Sequence, residues 1–371
     1  MNAWLQPAPE VHEPASQGST QLALLGTGTV GSAVLARLAA LSQANAAHLS
    51  LLYAANSRRC AGSRFGLAPA NTAQLLARDA RQADPDGVAT AFFGQGPRIV
   101  IDATASDDVA ARHAEWLSRG IHVVTACKLG QGTSLARWQA IRAACARSGA
   151  RYGDSATVGA GLPLLRSLRE LRRGGDRIHA IAGVLSGSLA WLFHHYDGMR
   201  PFSALVRQAR DAGYTEPDPR DDLSGEDVRR KLLILARTSG VELDAGDVEV
   251  ESLVPPAVAA LPREAVDAAL PQLDTTLRAR YADAYKHGAK LRFVARLENG
   301  RARVGLEALA TDHPLAGGSE TDNRVAIWSD RYPRQPLVVQ GPGAGAEVTA
   351  AALLDDVLAI ASNAAHIAHA A

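Results

Sequence analysis

A dense group of carboxylates followed by one lysine is the part of the sequence best suited to do chemistry. Six acidic side chains fall within twelve positions, and a lysine follows four residues after the last of them: Glu216, Asp218, Asp221, Asp222, Glu226, Asp227 and then Lys231. Residues four apart share one face of a helix, so Asp227 and Lys231 are expected to be neighbours. A carboxylate beside an amine can hold an ammonium-bearing substrate while a proton moves at its hydroxyl or carbonyl group.

The same segment also has a purely structural interpretation. Ser224 with an acid three residues later fits a capping box, and Asp–Lys pairs at this spacing are common on helix surfaces. The composition favours chemistry instead. The chain has 39 Lys plus Arg, of which only Lys128, Lys231, Lys286 and Lys290 are lysines, so 35 are arginines. Because lysine can give up its proton and arginine cannot, a lysine kept among arginines is a candidate acid or base.

A glycine-rich loop near the start of the chain predicts a dinucleotide site. Residues 26–31 read Gly-Thr-Gly-Thr-Val-Gly, which is a G-x-G-x-x-G sequence between a short apolar strand and a helix. The glycines allow close approach of the backbone to a pyrophosphate, and the helix N-terminus offers free N–H groups. The alternative is a glycine-rich turn that binds nothing.

The region after the second predicted strand favours NADP over NAD. An NAD site usually has an acid about twenty residues after the glycine loop, whereas no acidic residue occurs between Glu13 and Asp79. Residues 56–59 read Asn-Ser-Arg-Arg, and the guanidinium groups of Arg58 and Arg59 suit a 2′-phosphate. The alternative is that both arginines are solvated surface charges.

The elements that must position these residues fall into two groups. Over the first 150 residues, strands are predicted at 21–26, 49–55, 98–103 and 121–126, and helices at 30–41, 107–119 and 134–147. This alternation predicts β-α-β units and an α/β fold with a Rossmann-type, doubly wound parallel sheet.

After Gly153 the predicted pattern becomes α+β. Helices are predicted at 161–173, 188–195, 202–212, 224–238 and 347–370, and strands at 177–185, 290–297, 301–306 and 337–340. Asn299-Gly300 between two of these strands favours a tight hairpin turn. The catalytic candidates Asp227 and Lys231 are expected on the fourth of these helices.

Composition excludes several classes of function. A net charge of +1 and 5% aromatic residues give no reason to expect nucleic acid or a membrane surface as a partner. No apolar run is long enough for a membrane span, and residues 1–19 lack the pattern of a secretory signal. Cys60, Cys127 and Cys145 have no C-x-x-C spacing, which argues against a disulfide framework. We therefore expect a soluble, cytoplasmic protein that acts on a small-molecule substrate.

Eight segments of the sequence closely resemble the homoserine dehydrogenase family, and the similarity runs from about residue 20 to the end. They are GTGTVG (26–31), AANSR (54–58), IDATAS (101–106), HVVTACK (122–128), TVGAGLP (157–163), GVLSGSL (183–189), AGYTEPDPRDDLSGEDVRRKLLILAR (212–237) and GPGAGAEVTAA (341–351). The resemblance implies reversible oxidation of L-homoserine to L-aspartate 4-semialdehyde with NAD(P), in threonine and methionine biosynthesis.

The resemblance also implies roles for individual residues. Lys231 would transfer the proton at the C4 oxygen, Lys128 would lie where nicotinamide and substrate meet, and Asp227 would complete the catalytic group. Asp227, Glu216 and Asp222 would bind the substrate, with Glu216 at its ammonium group. The implied cofactor contacts are Gly26, Gly28, Thr29, Val30, Gly31, Asn56, Arg58, Thr104, Ala105, Ser106, Lys128 and Gly345.

The family's monovalent cation site, which would hold an ion such as Na+, carries over onto Val158, Ala160 and Leu162 through backbone oxygens. Two positions depart from the family pattern. Ser155 stands where a carboxylate is usual, and Cys127 stands where an asparagine usually precedes the lysine. The cation site is therefore expected to be weaker or differently ligated.

The implied organisation is a flexible tail (1–19), an NAD(P)-binding domain (20–153), a substrate-binding and dimerisation domain (154–335) and a C-terminal segment returning to the first domain (336–371). A homodimer is the implied assembly. The expected protein is monofunctional, without a kinase or ACT domain, so threonine is not expected to inhibit it through such a domain. Two alternatives remain, a non-catalytic NADP-binding sensor and a dehydrogenase of another small amino or hydroxy acid.

Overall fold

The computed structural model describes residues 19–44, 48–78, 81–83 and 87–370, with the backbone alone for 363–370. The predicted N-terminal tail at 1–19 lies outside the described residues apart from Ser19. Two sheets organise the chain, and each is covered by helices.

Seven strands form the first sheet in the order β4-β3-β2-β1-β5-β6-β7. They are β1 (Thr20–Leu25), β2 (Leu49–Ala55), β3 (Arg59–Gly62), β4 (Arg81–Gln82), β5 (Arg98–Asp102), β6 (His122–Thr125) and β7 (Tyr152–Gly153). From β2 to β7 neighbouring strands are parallel, whereas β3 and β4 add an antiparallel edge beside β2. The predicted Rossmann-type parallel sheet is confirmed, and the antiparallel edge was not predicted.

The described ranges of the first 153 residues contain six α-helices. They are α1 (Thr29–Gln43), α2 (Thr72–Arg78), α3 (Gly87–Ala91), α4 (Asp107–Ala111), α5 (His113–Ser118) and α6 (Leu135–Ser148). The prediction of one helix over 107–119 was wrong, because the helix breaks at Arg112. The break coincides with His113, whose fully buried ring reaches a carboxylate beneath it.

Six strands form the second sheet in the order β13-β12-β8-β10-β11-β9. They are β8 (Ile178–Val184), β9 (Val248–Val250), β10 (Lys290–Glu298), β11 (Arg301–Leu309), β12 (Asp322–Ser329) and β13 (Tyr332–Pro342). All neighbours are antiparallel except β9 and β11. Asn299 (φ 50°) and Gly300 (φ 74°) make the predicted tight turn between β10 and β11, which suits a two-residue hairpin loop.

Among the described residues, eight α-helices pack around the second sheet. They are α7 (Leu164–Arg173), α8 (Gly187–His195), α9 (Phe202–Asp211), α10 (Arg220–Leu223), α11 (Glu226–Ser239), α12 (Pro256–Ala259), α13 (Val266–Ala269) and α14 (Asp274–Lys286). α11 lies at the centre of this core, with Leu232, Leu233, Ile234 and Leu235 fully buried.

The last helix, α15 (Ala346–Ala370), follows β13 of the second sheet but packs on the first. Its Leu353 and Val357 share one buried cluster with Leu22 and Leu24 of β1. α15 also contacts α1 along its length. The end of the described chain therefore ties the second sheet back to the first.

Candidate active site

A left-handed glycine sets the start of the helix that carries the acid–amine pair. Gly225 has φ 78°, and a Cβ there would lie 2.9 Å from the ring of Phe293, so only glycine fits. The helix begins at Glu226, and the Ser224 hydroxyl accepts a 3.3 Å hydrogen bond from the Glu226 N–H. The capping box that would have explained the pattern structurally does not form.

Lys231 is a buried amine with two partners. Its Nζ lies 2.8 Å from Oδ2 of Asp227 and donates to the carbonyl oxygen of Leu185 at 2.6 Å. The residue is 8% exposed. Burial lowers the pKa of Lys231, and the neighbouring Asp227 carboxylate opposes that shift. An amine with a lowered pKa can exchange its proton more readily near neutral pH than a surface lysine.

Asp227 joins two lysines from different parts of the chain. Its second oxygen, Oδ1, lies 3.3 Å from Nζ of Lys128, which follows β6 of the first sheet. Burial disfavours the charged form of Asp227, but the ammonium groups of Lys231 and Lys128 outweigh it and hold the pKa of this carboxyl well below its usual range. The side chain is still 42% exposed. The pair faces a space that a polar ligand can reach.

Asp222 organises the approach to this pair. Its Oδ1 accepts from the Ser188 hydroxyl at 2.6 Å, and its Oδ2 accepts from the backbone N–H of Glu216 at 2.8 Å. Burial raises the pKa of Asp222, and these two hydrogen bonds oppose the rise. The Glu216 side chain is exposed and has no hydrogen bond or ion pair within the described chain. The Glu216 carboxylate is thus free for a ligand while its backbone is held.

A cavity of about 1650 Å³ lies over the carboxyl ends of the strands of the first sheet. Gly26 has φ 88°, and a Cβ there would lie 2.7 Å from the carbonyl oxygen of Ala103. A side chain at Gly28 would meet no protein atom within 4 Å, so the space beside it is free for a ligand. The glycine loop has room for a pyrophosphate at the start of α1, which agrees with the dinucleotide prediction.

The predicted cofactor contacts lie in and around this cavity. Its lining includes Gly26, Gly28, Asn56, Arg58, Thr104, Ala105 and Ser106. Thr29, Val30 and Gly31 form the first turn of α1 beside the cavity, and Lys128 and Gly345 also lie outside its lining. Most of the predicted nucleotide-binding residues therefore surround one cavity, whereas Lys128 lies beside Asp227.

The two predicted phosphate-binding arginines differ. The Arg59 guanidinium donates to the carbonyl oxygen of Ala77 at 2.6 Å and so holds the end of α2. Arg58 is exposed and lines the cavity, and its side chain has no hydrogen-bond or ion-pair partner among the described residues. Asn56 fixes this turn, because its Oδ1 accepts from the N–H groups of Arg58 and Arg59. Arg58 is the guanidinium that is free for a ligand.

A buried polar network beneath the cavity was missed by the sequence reasoning. Asp102, fully buried at the end of β5, accepts from the N–H of Thr104 at 2.9 Å and lies 3.0 Å from Nε2 of His113. His113 Nδ1 lies 3.0 Å from the Tyr152 hydroxyl, and burial raises the pKa of Tyr152 well above its usual value. Asp102 also accepts from the hydroxyl of Thr125, next to the strand end that leads to Lys128. The network supports both halves of the site from below.

Cys127 occupies the position just before Lys128 as a buried thiol. Its N–H donates to the Thr125 hydroxyl at 2.8 Å, and the residue is 3% exposed. Burial, reinforced by Asp102, raises the pKa of the Cys127 thiol to about 11. Its structural role is therefore packing and a backbone hydrogen bond.

The turn predicted to bind a cation contains a very small cavity. Ser155, Ala160, Leu162 and Asp355 are among the residues that line a space of about 10 Å³, roughly the volume that one water needs. Val158 is fully buried and not part of that lining. No group of three or more His, Cys, Asp or Glu that could hold a metal occurs in the described part of the chain. The side-chain oxygens on this lining belong to Ser155 and Asp355, so an ion here would also need backbone oxygens.

Two carboxylates, Asp154 and Asp356, lie beside Ser155 at this turn. Asp154 is fully buried and paired with Arg169 at 2.6 Å, so it does not replace the missing acid. Asp356 of α15 instead accepts from the hydroxyl and the N–H of Ser155, at 2.8 and 2.9 Å. The pKa of Asp356 is raised by burial. The last helix thus supplies a carboxylate to the turn where Ser155 stands.

A Rossmann-type sheet with a glycine-loop cavity carries Lys128 at the end of β6, and α11 beside the second sheet presents Asp227 and Lys231 to that lysine; this is the architecture of an NAD(P)-binding protein. A family model described as "Homoserine dehydrogenase, NAD binding domain" matches residues 26–153, and a second described as "Homoserine dehydrogenase" matches residues 163–358. The chain belongs to the homoserine dehydrogenase family.

Relatives with established names agree with this assignment. A homoserine dehydrogenase from Emericella nidulans is 36% identical over 91% of this chain and 97% of its own length. A bifunctional aspartokinase/homoserine dehydrogenase 2 from Zea mays is 38% identical over 94% of this chain. This chain spans 39% of that bifunctional protein.

Solved structures share the architecture. A Candida auris protein described as of unknown function is 34% identical, with a TM-score of 0.84 over 93% of this chain and 98% of that one. A hyperthermophilic archaeal homoserine dehydrogenase in complex with NADPH is 20% identical, with a TM-score of 0.71 over 91% of this chain and 96% of that one. The second likeness shows the fold alone. Within the part of the chain that the structure describes, no helix is long and apolar enough to cross a membrane.

Proposed function

We propose that this protein catalyses the reversible NAD(P)-dependent interconversion of L-homoserine and L-aspartate 4-semialdehyde, a step of threonine and methionine biosynthesis. The observation that carries the proposal is the buried Lys231 amine, which lies 2.8 Å from Asp227 on α11. This helix falls within the residues that match the homoserine dehydrogenase family model. A lysine with a lowered pKa beside a charged carboxylate suits proton transfer at a substrate oxygen.

In the oxidising direction, the bound nicotinamide cofactor supplies the hydride acceptor for the C4 carbon of homoserine. Lys231 in its neutral form removes the proton of the C4 hydroxyl. Asp227 then stabilises the ammonium that Lys231 becomes, because its carboxylate remains ionised between two lysines. In the reducing direction, the Lys231 ammonium returns a proton to the forming alkoxide. Lys128 completes the group from the cofactor side through its contact with Asp227.

The substrate's ammonium group would be bound by Glu216, with Asp222 and Asp227 completing the pocket. Two observations support this arrangement. The Glu216 carboxylate is exposed and has no partner within the described residues, and its backbone is held by Asp222. A free acid on a held backbone is a preorganised site for a small cation.

NADP is the proposed cofactor, with NAD as the second choice. Contacts are proposed with the glycine loop and first turn of α1, the strand end after β5, and the residues around them: Gly26, Gly28, Thr29, Val30, Gly31, Asn56, Arg58, Thr104, Ala105, Ser106, Lys128 and Gly345. Arg58, whose side chain has no partner among the residues that the structure describes, supports a 2′-phosphate site. Arg58→Ala should raise KM for NADP and leave KM for NAD unchanged, whereas an unchanged NADP/NAD ratio would contradict the assignment.

A monovalent cation such as Na+ is proposed at the turn of residues 155–162. The small cavity there is the size of one water or ion, and its lining includes Ser155, Ala160 and Leu162, whose hydroxyl and carbonyl oxygens would be the proposed ligands together with that of Val158. The ion would fix the shape of this turn at the start of the second part of the chain. Differential scanning calorimetry in NaCl and in the chloride of a bulky organic cation would detect binding of Na+ as a higher Tm in NaCl alone.

The proposed organisation assigns residues 20–153 to cofactor binding, 154–335 to substrate binding and dimerisation, and 336–371 to a segment that returns to the cofactor domain. We propose a homodimer located in the cytoplasm. Light scattering at several protein concentrations would distinguish a dimer from a monomer. A monomer at all concentrations would contradict the assembly without affecting the chemistry.

A substrate panel followed by NADPH absorbance tests the central proposal. Homoserine should give the highest kcat/KM, and Lys231→Ala should abolish turnover while NADP still quenches protein fluorescence. A non-catalytic NADP sensor would bind the cofactor without turnover of any substrate. A dehydrogenase of another small amino or hydroxy acid would turn over a different member of the panel faster.

A further inference from the structure

Arg237 is a buried arginine that connects the helix of Lys231 to the loop after Lys128. It is 1% exposed, and its guanidinium donates to the carbonyl oxygens of Gln131, Thr133 and Leu243, the last two at 2.8 Å. No carboxylate pairs with it within the described ranges of the chain. A buried charge without a counter-charge is costly, so its hydrogen bonds to these three carbonyls must compensate.

The loop that receives Arg237 begins with Lys128 itself. The N–H of Gly132 donates to the Lys128 carbonyl oxygen at 2.6 Å, which closes the loop into a tight turn. A Cβ at Gly132 would lie 2.8 Å from that oxygen and 2.9 Å from the carbonyl oxygen of Arg230. The loop therefore lies directly against the backbone of α11, with Gly132 beside the turn that carries Asp227 and Lys231.

The two ends of this contact belong to different sheets. Lys128 extends from the end of β6 in the first sheet, whereas Asp227 and Arg237 lie on α11 beside the second. Arg237 also lies under the ring of Trp138 on α6, with the guanidinium carbon 5.9 Å from the ring centre. Arg237 thus joins the second part of the chain to two consecutive segments of the first.

We propose that Arg237 is a positioning residue for the reaction: it holds the loop 128–133 against α11 so that the Lys128 amine reaches Asp227. The inference rests on the proposed function, since it concerns the geometry of the lysine–aspartate–lysine group. Arg237 touches neither substrate nor cofactor in this reading. It acts through the placement of Lys128, because it binds the carbonyl oxygens of Gln131 and Thr133, which follow Lys128 in the same loop.

Loss of the anchor has a defined electrostatic consequence. The loop would be free to withdraw from α11, and Lys128 would leave Asp227. Lys231 would then lose the repulsion of a nearby ammonium while keeping its carboxylate partner. It would hold its proton to higher pH, so the pH at which homoserine oxidation begins to rise would move upward.

The experiment compares Arg237→Met with Arg292→Met. Arg292 is a matched buried arginine, 9% exposed, whose guanidinium also donates to three carbonyl oxygens, those of Phe193, Leu291 and Ala316. It lies in the second sheet and does not contact the loop after Lys128. Both variants lose a buried guanidinium, so a difference between them reports on the loop.

For Arg237→Met we expect kcat/KM for homoserine to fall by about 10- to 100-fold, because small misplacements of catalytic groups have effects of this size. The rising limb of its pH profile should move to higher pH. Arg292→Met should leave that limb where it is in the unaltered protein. An unmoved limb in Arg237→Met, or the same movement in both variants, would overturn the inference.

A second readout does not depend on activity. Limited acylation with acetic anhydride, quantified by mass spectrometry, should label Lys128 several-fold more in Arg237→Met, with the exposed Lys286 as internal reference. Unchanged labelling would overturn the positioning role even if the enzyme proved inactive on homoserine. If Arg237→Met fails to fold, Gly132→Ala pushes the loop off the Arg230 carbonyl and should raise Lys128 labelling and move the limb in the same direction. Inactivity of the unaltered protein on homoserine would contradict the proposed function alone.

Discussion

Replacing Asp227 by asparagine tests the electrostatics of the proposed proton transfer most directly. The substitution keeps the size of the side chain and removes the negative charge between Lys231 and Lys128, whose amines lie 2.8 and 3.3 Å from its oxygens. Without that charge the ammonium form of Lys231 is less stable. The repulsion between the two lysines, no longer offset, acts in the same direction.

The magnitude follows from the shorter distance. At 2.8 Å two unit charges interact by about 1.5 kcal/mol in a water-like medium and by about 6 kcal/mol at an effective dielectric constant of about 20. The Asp227 side chain is 42% exposed, so solvent screening favours the lower figure. About 1.5 kcal/mol corresponds to roughly a tenfold change in the ratio of neutral to protonated Lys231.

In the proposed mechanism homoserine oxidation requires neutral Lys231, so its rate is expected to rise with pH as Lys231 loses its proton. In Asp227→Asn this rising limb should move to lower pH by about one pH unit, because the proton is held less tightly. KM for homoserine should increase, since a proposed substrate contact is lost. The measurement is kcat and kcat/KM from NADPH absorbance across the pH range in which the protein remains folded.

Glu226→Gln is the matched control for this prediction. Glu226 is the adjacent carboxylate on α11, but it pairs with Arg229 at 2.6 Å rather than with either lysine. Its replacement should leave the limb unmoved. The reasoning fails if the limb of Asp227→Asn stays in place or moves to higher pH, or if Glu226→Gln moves it equally.

Three further outcomes follow from the same contacts. Lys231→Arg keeps a positive charge, but arginine cannot release its proton, so kcat should fall by about 10²- to 10⁴-fold while NADP binding is retained. Near-normal turnover would exclude Lys231 as the acid–base group. Asp102→Ala removes the hydrogen-bond acceptor of Thr104, His113 and Thr125. The free energy of unfolding, measured with urea, should fall by about 3 kcal/mol or more, and KM for NADP should rise. Unchanged stability would contradict the structural role of the network. Burial raises the pKa of Cys127 to about 11, so only about one thiol in a thousand is ionised at pH 8. Iodoacetamide should therefore modify Cys127 slowly in the folded protein and rapidly in guanidinium chloride. Fast modification in the folded protein would refute the burial of this thiol.

Local patterns in the sequence were sufficient for the parts of the fold that depend on local geometry. The central strands of the first sheet appear as short apolar runs because both of their faces are buried. Asn299-Gly300 predicts its turn because both residues adopt positive φ at low cost. The helix α14 was not predicted, because only its Leu277 and Ala284 are buried. The strand β12 was also not predicted, although its Val325, Ala326 and Ile327 are fully buried.

The candidate site was predictable where its residues lie on one helix and not where they meet across the chain. The spacing of Asp227 and Lys231 predicts their contact, which the structure has at 2.8 Å. The approach of Lys128 to the same carboxylate depends on the docking of a loop nearly a hundred residues away in sequence. Likewise, the sequence cannot distinguish Arg58 from Arg59, because the difference arises from where α2 ends.

The bonds between Arg237 and the loop after Lys128 also limit how the two sheets can move. A guanidinium that binds carbonyls on both sides of a boundary acts as a pivot, since its several hydrogen bonds resist separation more than rotation. Opening around a ligand would then leave the lysine–aspartate–lysine group nearly stationary, and displacement would grow with distance from it. We therefore expect the distance between Lys128 and Asp227 to change least when the two sheets move relative to each other.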